Sequence, residues 1–195
     1  MWVILYHPHL LISNWVFDMN FNVEESELEG VLLIQPAVYS DPRGRFFESF
    51  QKERYKEIGI EEEFVQDNQS VSLKNTIRGL HYRASPEQAK LVRVIKGAVF
   101  DVAVDIRSQS PTFGQWRGYT LSDSNYRQIY IPVGFAHGFC VLSETAEFLY
   151  KVSEYYSAEK EKGIMWNDRD IGIKWPTSKP ILSEKDKTNP ALKDI

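Results

Sequence analysis

The chain has 195 residues, of which 43% are hydrophobic and 26% charged, and its formal net charge is −4. This length predicts a single domain that can bury a core without disulfide bonds. The mild acidity argues against a nucleic-acid-binding or membrane-surface protein, although it is compatible with a local basic pocket.

The first eighteen residues, MWVILYHPHLLISNWVFD, differ in composition from the rest of the chain. They lack the basic leading region and the small-residue cleavage site of a signal peptide, and a His-Pro-His sequence interrupts them. We predict that residues 1–18 are an upstream extension without a catalytic role, and that one domain occupies residues 19–195. Intact-mass measurement of the natively expressed protein tests this, and a product that begins at Met1 would count against it. No apolar run in the sequence is long enough to span a bilayer.

Short strands and one helix are predicted for the first half of the domain. In chain order these are a strand at 31–35, a turn at 41–44 (DPRG), a strand at 45–50, a helix at 51–60 and extended chain at 64–70. Asp before Pro, followed by Gly, is typical of a turn. Gly59 is placed to end the helix as its C-cap.

The centre of the chain predicts two strands around Gly97, at 90–96 and 98–106, which we interpret as a hairpin. In the second strand, AVFDVAVDI, large apolar residues alternate with aspartate and alanine. This period of two is typical of a strand that is buried on one face only.

Further strands are predicted at 115–121, 127–131 and 146–152. Strands at this spacing, with little helix between them, favour an antiparallel sandwich or jelly-roll barrel. Short helices are expected only in the N-terminal third and in the charged tail. Cys140 is the only cysteine, so no intrachain disulfide can form, and its apolar neighbours predict a buried core residue. A reducing, cytoplasmic setting fits this composition.

The segment IPVGFAHGF, residues 131–139, predicts a tight turn that leads into a strand carrying His137. Its P-x-G-x-x-H spacing resembles the second motif of the cupin superfamily, which is a jelly-roll barrel. Many cupins bind a metal through a His-x-His pair and a carboxylate. The corresponding position here reads His81-Tyr82-Arg83, with one histidine and an arginine, so we predict that no metal is bound.

The run IRGLHYRASPEQAKLVR, residues 77–93, brings together groups suited to acid–base chemistry. His81 can take a proton near neutral pH, and a carboxylate partner would orient it. Arg78 and Lys90 are cations that can hold an anion or stabilise one as it forms. An isolated histidine is more often structural, and Lys90 or Tyr150 alone would be a solvated lysine or a buried aromatic.

Ten blocks of the sequence, in one order, resemble the dTDP-4-dehydrorhamnose 3,5-epimerase family of cupin enzymes, which act in dTDP-rhamnose biosynthesis. The blocks are DPRGRFFESF (41–50), FVQDNQS (64–70), RGLHYR (78–83), KLVRV (90–94), GAVFDVAVDIR (97–107), SPTFGQW (110–116), RQIYIPVGFAHGF (127–139), EFLYK (147–151), WND (166–168) and LSEKD (182–186). The resemblance implies a homodimer with strand exchange near the N-terminus, a nucleotide-sugar substrate and no cofactor.

The resemblance also implies a role for each matching residue. The catalytic set is a base with its partner acid, a proton donor and a cation near the keto group: His81, Asp186, Tyr150 and Lys90. The substrate-binding set is Arg43, Glu48, Gln66, Asn68, Arg78, His137, Glu161 and Lys185. The residues alone identify Asp186 only as a charge near the tail, so its pairing with His81 is implied by the resemblance.

The chain departs from the family pattern beside the predicted sugar site. The loop after His81, RASPEQA, is one residue shorter, lacks a glycine before Lys90 and has Arg83 where glutamine is usual. Three alternatives therefore accompany the reading as a 3,5-epimerase. They are an epimerase that inverts only C3 or only C5, a metal-dependent cupin oxygenase and a non-catalytic cupin binding module.

Overall fold

The computed structural model of the protein describes residues 21–195, so the extension predicted at residues 1–18 lies outside the described residues. These residues form short antiparallel strands. The strands are β1 (Asn22–Glu25), β2 (Leu32–Gln35), β3 (Tyr39–Asp41), β4 (Gly44–Phe46), β5 (Gln66–Leu73), β6 (Ile77–Arg83), β7 (Lys90–Lys96), β8 (Ala98–Asp105), β9 (Trp116–Ser122), β10 (Gln128–Ile131), β11 (Phe135–Val141), β12 (Thr145–Val152) and β13 (Glu161–Gly163). The helices are α1 (Lys52–Glu57) and α2 (Glu184–Lys187), and a 3₁₀ turn spans Leu192–Asp194.

Two antiparallel sheets form the body of the protein. One has six strands in the order β1-β2-β10-β7-β12-β5, and the other has five in the order β13-β6-β11-β8-β9. The main core lies between them, with Val92 and Phe148 from the first sheet packed against Ala103 and Phe139 from the second. Each large side chain buried in this way stabilises the fold by about 1.5–3 kcal/mol. The predicted mainly β architecture is confirmed.

The outer faces of both sheets are covered as well. Helix α1 and its flanks place Tyr55 and Ile60 on the six-stranded sheet. The tail after β13 places Ile164, Ile171 and Leu192 on the five-stranded sheet. The two short helices were predicted, and Gly59, with a φ of +89°, follows α1 as expected.

The predicted hairpin around Gly97 is wrong. Strand β7 pairs with β10 and β12, whereas β8 pairs with β9 and β11 in the other sheet. Gly97 is therefore the point at which the chain passes from one sheet to the other. Its φ is +82°, and a Cβ there would lie 2.3 Å from the carbonyl oxygen of Thr145, so only glycine fits without strain.

Strand β8 is buried on both faces, which also differs from the prediction. Val102 and Val104 face the tail, and Ala103 faces the main core. Asp101 and Asp105 alternate with them and are fully buried. The tail covers the face that would otherwise be exposed, so the aspartates lie on the inner face.

Four other predicted strands are present, each with bounds that differ by one residue. The strands predicted at 31–35, 115–121, 127–131 and 146–152 correspond to β2, β9, β10 and β12. The strand predicted at 45–50 is wrong beyond Phe46, because β3 and β4 form a small separate hairpin around the predicted turn. Residues 47–50 instead run without strand pairing toward helix α1.

Candidate active site

A histidine and an aspartate far apart in sequence form the centre of the candidate site. His81 lies on β6, and its Nε2 atom is 2.6 Å from Oδ1 of Asp186, which helix α2 carries. The Asp186 side chain is 4% exposed, against 25% for His81. The structure thus brings the two predicted partners together across 105 residues.

The environment keeps Asp186 ionised. Burial opposes ionisation, but hydrogen bonds from His81, Ser183 and the backbone N–H of Gly79 outweigh it and hold the Asp186 pKa below its usual range. An ionised carboxylate can only accept hydrogen bonds, so Nε2 of neutral His81 carries the hydrogen. The lone pair is then on Nδ1, for which residues 21–195 provide no partner. His81 is therefore arranged as a base.

A second histidine–aspartate pair lies beside the first. His137 on β11 is the register partner of His81 on β6. Its Nε2 atom lies 3.0 and 2.9 Å from the two carboxylate oxygens of Asp101. Burial lowers the pKa of His137, and Lys90 and His81 add to this effect, although Asp101 opposes it. The neutral imidazole is accordingly favoured.

Lys90 is a buried cation at the start of β7, in the opposite sheet. Its Nζ donates to the carbonyl oxygen of His81 over 3.3 Å. Burial lowers the pKa of Lys90 to about 8, against the opposing influence of Glu161 and Asp101. An ammonium group with so little hydration interacts strongly with any negative charge that forms beside it.

His81, His137 and Lys90 line one cavity of about 300 Å³, with Asp186 and Asp101 behind the two histidines. Tyr150 on β12 enters it from the six-stranded sheet, opposite His81, and burial raises the pKa of its hydroxyl. Other predicted residues also line the cavity. They are Gln66, Asn68, Arg78, Lys90, His137 and Glu161.

The polar residues at the cavity wall hold one another in place. Gln66 donates from Nε2 to Oδ1 of Asn68 over 2.7 Å, and its own carbonyl accepts from the backbone N–H of Tyr156. Arg78 donates from Nε to the hydroxyl of Ser72 over 3.0 Å. These contacts fix two amides and a guanidinium group at one end of the cavity.

Three predicted residues lie at the rim or away from the cavity. Lys185 pairs with Glu161 at 3.3 Å, next to Asp186 in helix α2. Arg43 lies in the β3–β4 hairpin with its side chain 91% exposed and paired to Asp41. Glu48 pairs with Arg54 at 2.9 Å. A single chain therefore does not bring Arg43 or Glu48 to the cavity.

The acidic and imidazole groups of the cavity do not form a metal-binding cluster. Across residues 21–195, no three His, Cys, Asp or Glu side chains lie together in a way that could hold an ion. The two histidines of the cavity are each paired with a different aspartate. That the protein works without a metal stays a prediction.

Asp101 and Gln88 are cavity-side residues that the sequence-based prediction missed. Asp101 is fully buried and pairs with His137, and Gln88 lines the cavity. A signal for Asp101 was present, because a carboxylate between apolar residues of a central strand needs a partner when both faces are buried. Gln88 has no such signal, since glutamine is common in loops.

Fold and site together define the class: this is a mainly β enzyme of the cupin type, with two facing sheets that bring titratable side chains into one cavity. The family model for dTDP-4-dehydrorhamnose 3,5-epimerase matches residues 25–194. The chain belongs to this family of isomerases, as the motif resemblance predicted.

Relatives and solved structures agree with this assignment. A dTDP-4-dehydrorhamnose 3,5-epimerase of Shigella flexneri is 54% identical over 167 residues, covering 85% of this chain and 92% of the relative. A dTDP-4-dehydrorhamnose 3-epimerase of Streptomyces niveus is 42% identical over 161 residues, covering 82% and 78%. The crystal structure of a 3,5-epimerase from Legionella pneumophila in complex with dTDP-4-keto-L-rhamnose has a TM-score of 0.87 and 49% identity, covering 89% and 94%.

Proposed function

We propose that the protein epimerises C3 and C5 of dTDP-4-dehydro-6-deoxy-D-glucose and so forms dTDP-4-dehydro-L-rhamnose. The observation that carries this proposal is that His81 and Tyr150, a base and a hydroxyl acid, lie on opposite sheets of one cavity. The buried ammonium group of Lys90 lines the same cavity. The names of the relatives and the sugar in the Legionella complex support the substrate.

The chemistry depends on the position of the keto group. Protons on C3 and C5 are both next to the C4 carbonyl and are therefore acidified. Removal of either proton leaves an enolate whose charge collects on the C4 oxygen. A proton returned to the opposite face of the same carbon inverts it. The reaction has no net redox change, so it calls for no nicotinamide.

His81 is the proposed base. Its Nδ1 atom takes the proton from carbon, and Asp186 stabilises the imidazolium that results. Lys90 is the proposed partner of the enolate oxygen, with His137 next to it on the facing sheet. A fixed donor in such a site contributes about 2.7–4 kcal/mol to the transition state.

Tyr150 is the proposed acid. It delivers its phenolic proton to the face of the ring opposite His81, and solvent then restores it. Its raised pKa keeps the hydroxyl protonated through neutral pH. Inversion at carbon needs a base on one face of the ring and an acid on the other, and the facing sheets supply His81 and Tyr150 for these roles.

Tyr150→Phe should separate proton exchange from inversion. The base can still remove a proton and return deuterium from the same side, so exchange continues while inversion falls by about 10²–10⁴-fold. Proton NMR of the sugar in deuterated water measures both, and KM should change little because the ring is kept. Unchanged turnover in this variant would remove Tyr150 as the acid.

The nucleotide diphosphate is proposed to lie against Arg78, Gln66 and Asn68. Ser72 holds Nε of Arg78, which leaves the terminal guanidinium nitrogens for phosphate oxygens. Glu161 and Lys185 at the rim are proposed as further contacts.

A second copy of the chain is proposed to supply Arg43 and Glu48. Strand β5 is an edge strand on which Val71 and Leu73 are 66% and 63% exposed, and Phe46 in the β3–β4 hairpin is 62% exposed. An open strand edge with apolar side chains is suited to a homodimer interface.

The homodimer predicts that two inactive variants complement each other. Arg43→Ala and His81→Ala chains, mixed and reassembled, should recover part of the wild-type rate, because one site of each mixed dimer has both residues intact. Sedimentation equilibrium gives the oligomeric state in parallel. A monomer, or a mixture with no recovered activity, would contradict the proposed sharing of sites.

The second candidate function is inversion at a single carbon, which the Streptomyces niveus 3-epimerase supports. An assay on dTDP-4-keto-6-deoxyglucose in deuterated water, following each carbon by proton NMR, tests both candidates. Deuterium and inversion at C3 and C5 would establish the 3,5-epimerase. Inversion at only one carbon would favour the second candidate, and no exchange at either carbon would exclude both.

We propose further that the enzyme works without a metal and in the cytoplasm. Two arginines near His81 disfavour a bound dication, and the single thiol, Cys140, is buried. None of the helices within residues 21–195 has the length and apolarity to cross a membrane. Stoichiometric iron by elemental analysis, or activity in an envelope fraction, would contradict these two proposals.

A further inference from the structure

Gln88 is held rigidly in the wall of the catalytic cavity, two residues before Lys90. Its Nε2 donates to the backbone carbonyl of Glu154 over 2.7 Å. The next residue is fixed too, since Ala89 exchanges hydrogen bonds with Ser153 through its N–H (2.9 Å) and its carbonyl (3.1 Å). Both backbone and side chain of Gln88 are therefore anchored to the segment after β12.

This anchoring leaves the side-chain carbonyl of Gln88 available. Among residues 21–195, no donor bonds to its Oε1 atom. Of the other amides that line the cavity, Oε1 of Gln66 accepts from Tyr156, Oδ1 of Asn68 accepts from Gln66, and Nε2 of Gln69 donates to Glu147. Gln88 thus presents a fixed, uncharged acceptor in the cavity that also contains Lys90.

The sugar needs such an acceptor. Lys90, Arg78 and the hydroxyl of Tyr150 can donate to the keto and phosphate oxygens, but a ring hydroxyl also has a hydrogen to give. Glu161, a carboxylate that also lines the cavity, is paired with Lys185, whereas the amide carbonyl of Gln88 accepts from a hydroxyl without competing for the charge of Lys90.

We propose that Gln88 is a specificity-determining residue, whose side-chain carbonyl accepts a hydrogen bond from a ring hydroxyl of the keto sugar, at C2 or at C3. The inference rests on the proposed function and adds to it the recognition of the sugar. Because Gln88 and Lys90 line the same cavity, the hydroxyl that Gln88 would bind lies near the reacting carbonyl.

The test compares the parent substrate with its 2-deoxy and 3-deoxy analogues, following deuterium exchange at C5. The wild-type enzyme should prefer the parent over one analogue by about tenfold in kcat/KM, the size expected for one neutral hydrogen bond. In Gln88→Met this preference should vanish. A loosened loop would slow all substrates alike, so the ratio separates recognition from a structural effect.

Gln35→Met is the matched control. Gln35 also donates from Nε2 to a distant backbone carbonyl over 2.7 Å, that of Asn125, but on β2 away from the cavity. Its preference ratio should equal that of the wild type. A wild-type enzyme that turns over both analogues as well as the parent overturns the inference without any variant. Failure of the wild type on the parent itself would overturn the proposed function instead.

Discussion

His81→Ala should abolish the exchange of solvent deuterium into both C3 and C5 of the keto sugar. Two imidazoles line the cavity, but burial beside Lys90 lowers the pKa of His137 and opposes its taking up a proton, which leaves His81 as the proposed base for both carbons. Loss of a positioned general base costs about 10²–10⁴-fold in rate. Nucleotide binding should persist, because Arg78 and the two wall amides are untouched.

A rescue experiment distinguishes a missing base from a damaged fold. The His81 side chain is 25% exposed, so the space left by alanine opens to solvent. Imidazole added to the His81→Ala protein should restore exchange in proportion to its unprotonated fraction. Full exchange in the variant without imidazole would show that another group is the base.

Lys90→Met should lower kcat/KM by about 10²–10³-fold, because the enolate oxygen loses its cationic partner. Methionine keeps the length and the burial of the side chain, so the change removes charge with little change in volume. The substrate affinity should fall less than the rate, since the charge on the C4 oxygen develops only during reaction.

The pH dependence of the wild-type enzyme tests the same role of Lys90. The pKa of Lys90 is lowered to about 8 by burial, so kcat/KM should fall as pH rises through about 8. Tyr150 does not cause this fall, because its pKa is raised. Lys90→Arg should move the fall to higher pH, as guanidinium stays charged. A wild-type rate that stays flat to about pH 10 would contradict the role of Lys90.

Unfolding is not the reason for the expected fall. A lysine with a lowered pKa in the folded state binds fewer protons there than in the unfolded chain between about pH 8 and its ordinary pKa of 10.5. This difference makes the free energy of unfolding rise with pH across that window. Thermal denaturation on either side of about pH 8 separates the two effects, because activity falls while the Lys90 contribution to stability increases.

Alternation of apolar residues located the strands, but it did not determine how they pair. The segments on either side of Gly97 look like a hairpin, because a short connection usually joins neighbours. The pairing depends instead on strands that come later in the chain: β10 and β12 flank β7 in one sheet, and β9 and β11 flank β8 in the other. Such long-range competition leaves no local pattern.

The residues of the candidate site also differ in how far the sequence alone indicates them. His81 and Lys90 stand out in one short run, whereas Asp186 lies in a charged tail that gives no sign of being buried. Only packing of the tail against the five-stranded sheet makes that carboxylate a partner for His81. Asp101 was missed because the alternation in β8 predicts one exposed face, whereas the tail covers the apolar face of this strand and the aspartate lies on the inner face between the sheets.

The 105-residue separation between His81 and Asp186 also has a consequence for biosynthesis. A ribosome completes both sheets before it adds the helix that supplies the carboxylate. A nascent or clipped chain that stops short of α2 would therefore have both sheets and His81 but lack the carboxylate that we propose fixes the tautomer of His81. If Asp186 has the proposed role, docking of the tail is the step that completes the site, and loss of the segment from α2 onward would remove Asp186 together with Leu192, which packs on the five-stranded sheet.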